Sequence, residues 1–296
     1  MSGFAFSERI GMTDMIHLQR LDELMDRYDV LLCDVWGVLH NGVDSFASAS
    51  AALSRARKAG LTVVLITNAP RRFDSVAQQI HALGVAESSY DRIVTSGDVT
   101  RELIRNAPRH VFHLGPERDE TLYEGLDVEL VEEREADVVV CTGFFDDETE
   151  TPEDYAEMLT RFRSRDLPFI CANPDIVVER GDRLIWCAGA LARDYSQLGG
   201  RTLIAGKPHR PIYEAAVAAA MEVRDEPVDL ARVLAIGDGM LTDIKGADLF
   251  GIDALYISGG IHAGDYVMGG VQDLEKLLAF LAKHGSNPVA TMTMLA

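Results

Sequence analysis

Long apolar runs, paired cysteines and surplus positive charge are all missing from this 296-residue sequence, and each absence removes a class of protein. No stretch approaches the roughly 18 consecutive apolar residues of a membrane-spanning helix. Residues 1–20 mix charges with apolar residues and lack the apolar block of a secretory signal, so the chain is expected to stay in the cytoplasm. Only four cysteines occur, Cys33, Cys141, Cys171 and Cys187, and no two have CxxC spacing. Small buried thiols in a reducing compartment fit this better than a disulfide framework or a zinc site. Lys and Arg number 28 against 47 Asp and Glu, a formal net charge of −19. A nucleic-acid binder needs a basic face to neutralise phosphates, and an anionic membrane surface repels such a chain. A small phosphorylated substrate stays admissible, because one bound cation and a few local donors overcome a distant field that salt screens. No GxGxxG follows the first strand candidate, which removes a dinucleotide-binding oxidoreductase.

What is present is the composition of a folded protein, 47% hydrophobic and 25% charged. Residues 30–33, 61–66 and 92–95 read as strands too apolar for a half-exposed sheet, with helical spacing between them at 46–58 and 73–83. Gly60 and Gly84 stand where a helix C-terminus favours positive φ. This βαβαβ rhythm marks a doubly wound parallel-sheet α/β core. It returns with strands at 201–205, 232–236 and 254–257 and helices at 211–221, 241–250 and 271–283. The intervening segment has its own strand signals at 111–114, 138–141 and 169–171 and a helix at 152–164. The expected division is a core from 1–107 and 202–296 with an inserted α/β domain at 108–201. Residues 285–296 read as a weakly ordered tail, and Glu132, Glu133 and Glu135 as a solvated face.

Four segments carry chemistry, each at the end of an expected strand, where open α/β sheets bind ligands. Asp34 ends a buried apolar strand and is expensive there unless it meets a metal or acts as a nucleophile; Gly37 turns the backbone away after Trp36. Thr67 and Asn68 end the next strand ahead of a helix, a place suited to phosphate as well as to ordinary capping. Lys207, between Gly206 and Pro208, is a point charge at a helix start, and Pro208 suits the first helical turn. Asp238 and Asp243, five positions apart, suit a hard, oxygen-seeking cation, although Asp243 also fits a helix-start anion.

In the order and spacing of these segments, and in CANPD (171–175), AGKPHRPIYEAA (205–216) and IGDGMLTDIKGADLFG (236–251), the chain resembles the haloacid dehalogenase (HAD) superfamily, in particular its class IIA, NagD-like phosphatases with an inserted C2-type α/β cap. The resemblance spans about residues 29–283 and implies Mg²⁺-dependent hydrolysis of a small phosphorylated metabolite such as a sugar phosphate or nucleotide. It implies that Asp34 forms an aspartyl-phosphate and binds Mg²⁺ together with the Trp36 carbonyl and Asp238, supported by Asp243. Thr67, the Asn68 backbone and Lys207 would hold phosphoryl oxygens, with the loop at Asn173–Asp175 a candidate contributor to specificity and Asp175 to substrate binding. Dimers formed through the cap occur in similar proteins, which leaves a homodimer open. One departure stands out: most phosphatases of the superfamily carry a second aspartate where this chain has Trp36, and an indole supplies no usable proton. Loss of general acid–base assistance typically costs about 10²–10⁴ in rate. The alternative expectation is therefore a metal-dependent phospho-ligand binding or regulatory protein, or a phosphotransferase with slow hydrolysis, unless His40 or Asp44 supplies the acid.

Overall fold

The computed structural model describes residues 16–269 and 271–296; residues 1–15, the start of the segment read for a leader, lie outside the described residues. Strands β1 (Val30–Asp34), β2 (Thr62–Thr67) and β3 (Arg92–Thr95) alternate with helices α1 (Ala47–Lys58), α2 (Phe73–Ala82) and α3 (Ser96–Arg105). Every residue of β1 and β2 is buried, as strands covered on both faces require. Helix α3 was not foreseen: its sequence is mostly polar, and Thr95 caps it by accepting the Asp98 N–H. The chain then builds β4 (His110–Leu114), β5 (Glu129–Leu130), β6 (Val138–Cys141), α4 (Ala156–Ser164), β7 (Phe169–Cys171), the hairpin β8 (Val177–Arg180) and β9 (Arg183–Trp186), α5 (Ala188–Gln197) and β10 (Thr202–Ile204). It returns through α6 (Arg210–Arg224), β11 (Val233–Gly237), α7 (Lys245–Phe250), β12 (Asp253–Ile257), the short hairpin β13 (Val267–Met268) and β14 (Val271–Gln272), α8 (Leu274–Lys283) and β15 (Ala290–Met292).

Among the described residues two larger sheets form, one ordered β15-β12-β11-β1-β2-β3 and one ordered β10-β7-β6-β4-β5, and the pairings within each are parallel. The α/β parallel-sheet architecture is thus as expected, with three corrections of detail. The strand foreseen at 201–205 as the return of the core pairs instead with β7, so the second sheet extends through Ile204 and a division at 201/202 cuts it. A short apolar strand looks alike in either sheet; what decides is the free edge of β7, the nearest one after α5. Residues 285–296 are not a loose tail: β15 pairs with β12, Met292 and Leu295 are buried at 1%, and Leu18 donates to Thr291 O at 2.8 Å. Helix α6 starts at Arg210 with Pro211, not Pro208, in its first turn.

Both faces of the first sheet are packed. Leu31, Cys33, Val63, Leu65 and Leu234 join one apolar cluster and Val30, Leu32, Val64, Ile66 and Val233 another. Each such side chain contributes about 1.5–3 kcal/mol through burial. All four cysteines are free and buried. The central position of β1 aligns the strand ends: Cys33 lies beside Ile236 of β11, and Asp34 beside Ile66 of β2. Asp34, Asp238 and Thr67 therefore emerge at one edge, where crevices open in such sheets.

Two histidines, one in each part of the fold, have little access to solvent. His40, 1% exposed on the loop after β1, accepts the Gly42 N–H on Nδ1 at 2.9 Å, and His113 of β4 contacts the Thr142 hydroxyl at 3.0 Å through Nε2. Burial, with the Arg71 charge added at His40, pushes each pKa down from 6.5 to about 4.

Two outcomes follow. Met292→Ala should cost about 2–5 kcal/mol in urea unfolding, as a cavity in an ordered core does, whereas a loose terminus would give no change. The unfolded chain binds the His113 proton below about pH 6.5 while the folded chain does not, so this stabilisation is present above that pH and is lost as pH falls toward about 4. Between those limits wild type should lose more stability than His113→Asn, by up to about 3 kcal/mol, in denaturation measured across the window.

Candidate active site

Asp34, at the last position of β1, is 6% exposed, and its Oδ1 accepts the Val35 N–H at 2.7 Å. Asp238 follows β11 directly and its Oδ2 accepts the Ile261 N–H at 2.9 Å. Asp243 sits in a wide π-type turn, Met240–Ile244, that precedes α7, and accepts the Gly239 N–H at 3.0 Å. One ligand oxygen from each of the three lies within 4.8 Å of the others. The Lys207 ammonium bonds to Asp34 at 2.6 Å and to Asp243 at 2.8 Å, with only 3% of its side chain exposed. Residues separated by 173 positions in sequence thus share one pocket. Close backbone approach makes this possible: a Cβ on Gly37 or on Gly260 would come within 2.1 Å of the Asp238 carboxylate.

The charges do not balance. Burial pushes the Asp34 carboxyl well above its usual range, Asp243 adds to this, and Lys207 opposes it. Asp238 is pushed up to about 7, again by burial first and Asp243 second. Burial works against the Lys207 ammonium, but Asp243, Asp34 and Asp175 together outweigh it and hold its pKa above the lysine range. Three buried carboxylates facing one ammonium leave an excess of negative charge, and every donor atom is a hard oxygen. That donor set fits a divalent oxygen-seeking cation.

Thr67 and Asn68, 4% and 2% exposed, close the second strand end. The Asn68 amide takes a role the sequence did not suggest. Its Oδ1 accepts the Lys207 N–H at 2.8 Å, and its Nδ2 donates to Lys207 O at 3.2 Å and to Asp175 Oδ1 at 2.9 Å. One side chain therefore fixes the lysine backbone and ties the 173–175 loop to the core. Helix α5, also unforeseen, holds that loop from the other side, with Gly189 N–H on Asp175 O at 3.1 Å.

Above the acid cluster lies a cavity of about 240 Å³, lined by Asp34, Trp36, Thr67, Asp175, Val178 and Asp243 among others. A second cavity of about 300 Å³ shares Trp36, Thr67, Asp175 and Val178 with it and carries Arg71, Arg118 and Arg180. Those arginines face Asp119 and Asp147: Arg180 meets Asp147 at 3.0 Å, while Arg71 stands 3.9 Å from Asp119. Sequence reading missed this second chamber, because its residues come from scattered loops and short elements of the core and of the insert and share no motif; Pro70-Arg71, shortly after Thr67-Asn68, was a local hint. Trp36, foreseen only for its carbonyl, points its indole N–H at Glu179 O of β8. Of the two candidates for the acid missing at position 36, His40 is buried, which pushes its pKa down to about 4, and Asp44 is exposed, its N–H taken up in a turn on Asn41 Oδ1 at 2.8 Å.

Comparison with known proteins agrees with this geometry. The family described as haloacid dehalogenase-like hydrolase matches residues 31–129, and the one described as HAD-hydrolase-like matches 204–277. A crystal structure of a hydrolase of the haloacid dehalogenase-like family from Brucella suis 1330 is 62% identical, covers 94% of this chain and 100% of its own, and superposes with a TM-score of 0.86. D-glycerol 3-phosphate phosphatase of Mycobacterium tuberculosis is 29% identical over 255 residues, 82% of this chain. The chain spans 66% of the length of that curated relative. NagD from E. coli K-12, 21% identical, shares the fold with a TM-score of 0.64 over 90% of this chain and 96% of its own.

Proposed function

Because this chain belongs to the haloacid dehalogenase-like hydrolase family, we propose that it is a phosphatase of the NagD-like, class IIA kind and hydrolyses the phosphomonoester of a small metabolite through an aspartyl-phosphate on Asp34. The observation that carries the reading is the buried cluster of Asp34, Asp238 and Asp243, with Lys207 bonded to the first and last, open to a cavity of about 240 Å³. The Asp34 carboxylate attacks phosphorus in line, the bond to the leaving oxygen breaks, and water then releases phosphate from the acyl-phosphate. Lys207 and the donors around Thr67 and Asn68 offset the charge that builds on the phosphoryl oxygens. Asp34, Asp238 and the Trp36 carbonyl would hold Mg²⁺, with Asp243 supporting; when bound, the ion supplies charge neutralisation and orients the phosphoryl group. The segment from 108 to Ile204 roofs the crevice as a cap. The leaving group extends into the second chamber, where Arg71, Arg118 and Arg180 alternate with Asp119 and Asp147. Paired charges of both signs suit hydroxyl-rich groups such as glycerol or a sugar, and the M. tuberculosis relative is named for a glycerol phosphate. Four free buried thiols support a cytoplasmic setting.

A second reading has its own support. The Trp36 N–H is occupied by Glu179 O, and burial pushes the His40 pKa down to about 4, so neither ring is a ready proton donor at that position. The phosphoenzyme would then outlive the first step, as in a phosphotransferase or a phospho-ligand sensor with slow hydrolysis.

Mg²⁺-dependent phosphate release from p-nitrophenyl phosphate should fall by roughly 10⁴-fold or more in Asp34→Asn and vanish with EDTA. Equal background rates in wild type and Asp34→Asn would refute hydrolysis by this site. Rapid mixing distinguishes the readings: a burst of one nitrophenol per active site, followed by a slower steady rate, marks the long-lived phosphoenzyme.

A further inference from the structure

Among the described residues the hairpin β8–β9 joins neither large sheet and its two strands pair with each other. Its placement is set by what holds its two sides. On the side of the insert, Arg180 meets Asp147 at 3.0 Å and Arg183 meets Glu148 at 2.6 Å. On the side of the core, the Trp36 indole N–H donates to Glu179 O, and Gly181 N–H donates to Asn41 O at 3.1 Å. Both core contacts come from one tight loop. There Gly37 N–H bonds to His40 O at 2.8 Å, Phe46 N–H to Leu39 O at 2.7 Å, and Asn41 Oδ1 accepts the N–H groups of Val43 and Asp44 at 3.0 and 2.8 Å. The indole packs edge-on against His40, with ring centroids 5.0 Å apart. Gly42 lies against its other edge, where a Cβ would come within 2.6 Å of Trp36 Cζ2, at a φ of +87°. The ring is thus wedged in one orientation, and Trp36 and Val178 line both chambers.

We propose that Trp36 is a positioning residue, the latch that fixes the β8–β9 hairpin of the insert across the acid cluster and so sets the wall between the phosphoryl chamber and its neighbour. The latch itself stands on the contacts above; its role toward a substrate rests on the phosphohydrolase reading. With the indole in place, Val177, Val178 and Glu179 stay over the cluster. Without its N–H, the core-side hydrogen bond that remains among the described residues is Gly181–Asn41.

Hydrogen exchange on the full-length protein without substrate tests the latch. A net hydrogen bond of about 0.5–1.5 kcal/mol corresponds to about a twofold to tenfold change in opening. Trp36→Phe keeps a ring and removes the donor, so exchange at 177–186, Gly181 above all, should accelerate by about that factor while β6 and β7 stay as protected as in wild type. Gly42→Ala crowds the indole and should act on the same segment. Because the chain has only two tryptophans, Trp186→Phe leaves Trp36 as the sole indole, and its emission should shift to the red when Gly42→Ala is added. For p-nitrophenyl phosphate, KM of Gly42→Ala should rise more than kcat falls. Unchanged exchange at 177–186 in both folded variants, or a rise spread evenly over the chain, overturns the latch. If Asp34→Asn turns over like wild type, the phosphohydrolase reading fails while the exchange result still decides the latch.

Discussion

Three buried carboxylates drawn together, two of them bonded to a single ammonium, are the constraint on which the rest of this structure turns. Such a group persists only where the surrounding fold supplies more in packing than the desolvated charges cost, and where a cation restores the balance. The architecture does both. Two fully buried strands, β1 and β11, run side by side and end level, so Asp34 and Asp238 meet without any long-range adjustment of side chains. Lys207 reaches them from the far side of the insert, its backbone clamped by the Asn68 amide. Removing one member of a buried ionic group costs about 3–5 kcal/mol because its partners stay buried, which couples the integrity of the core to the presence of each residue of the cluster.

The same amide that clamps the lysine also grips Asp175, so the inserted domain is not an independent roof. Its 173–175 loop is joined to the core at Asn68, and its hairpin at Trp36 and Asn41. These contacts surround the 240 Å³ chamber on the side facing the 300 Å³ one, and the residues common to both chambers come from core and insert alike. Whatever enters is therefore read by both parts of the chain at once.

Much of this was legible in the sequence because it lay in local pattern. The apolar runs ending in Asp34, Thr67 and Asp238 state strand, burial and strand end together, and the spacing of Asp238 and Asp243 places both beside one turn. Less legible were features that depend on partners distant in sequence. Thr202–Ile204 is an apolar triplet whose sheet is settled by the edge offered by β7, and Ala290–Met292 looked like tail because three residues after a Gly-Ser-Asn stretch carry no periodicity. Helices α3 and α5 escaped notice since their buried faces are made largely of Gly, Ala, Ser and Thr, which give little hydrophobic contrast. The second chamber and the orientation of the Trp36 ring are products of two surfaces meeting, and one-dimensional pattern holds no record of such a meeting.

The pairing of Val30 with Val233 has a consequence for how the molecule comes into being. During synthesis β1 emerges about two hundred residues ahead of its neighbour β11, and the whole insert is made in the interval. One flank of the earliest strand is thus left as an open, strongly apolar edge throughout elongation, the kind of edge that recruits stray partners. The parallel sheet of the insert, by contrast, has all its strands once β10 has been made, before β11 appears. The acid cluster is completed last: Asp34 and Lys207 are both made before Asp238 and Asp243, so the three carboxylates come together only once β11 and the turn after it have been added.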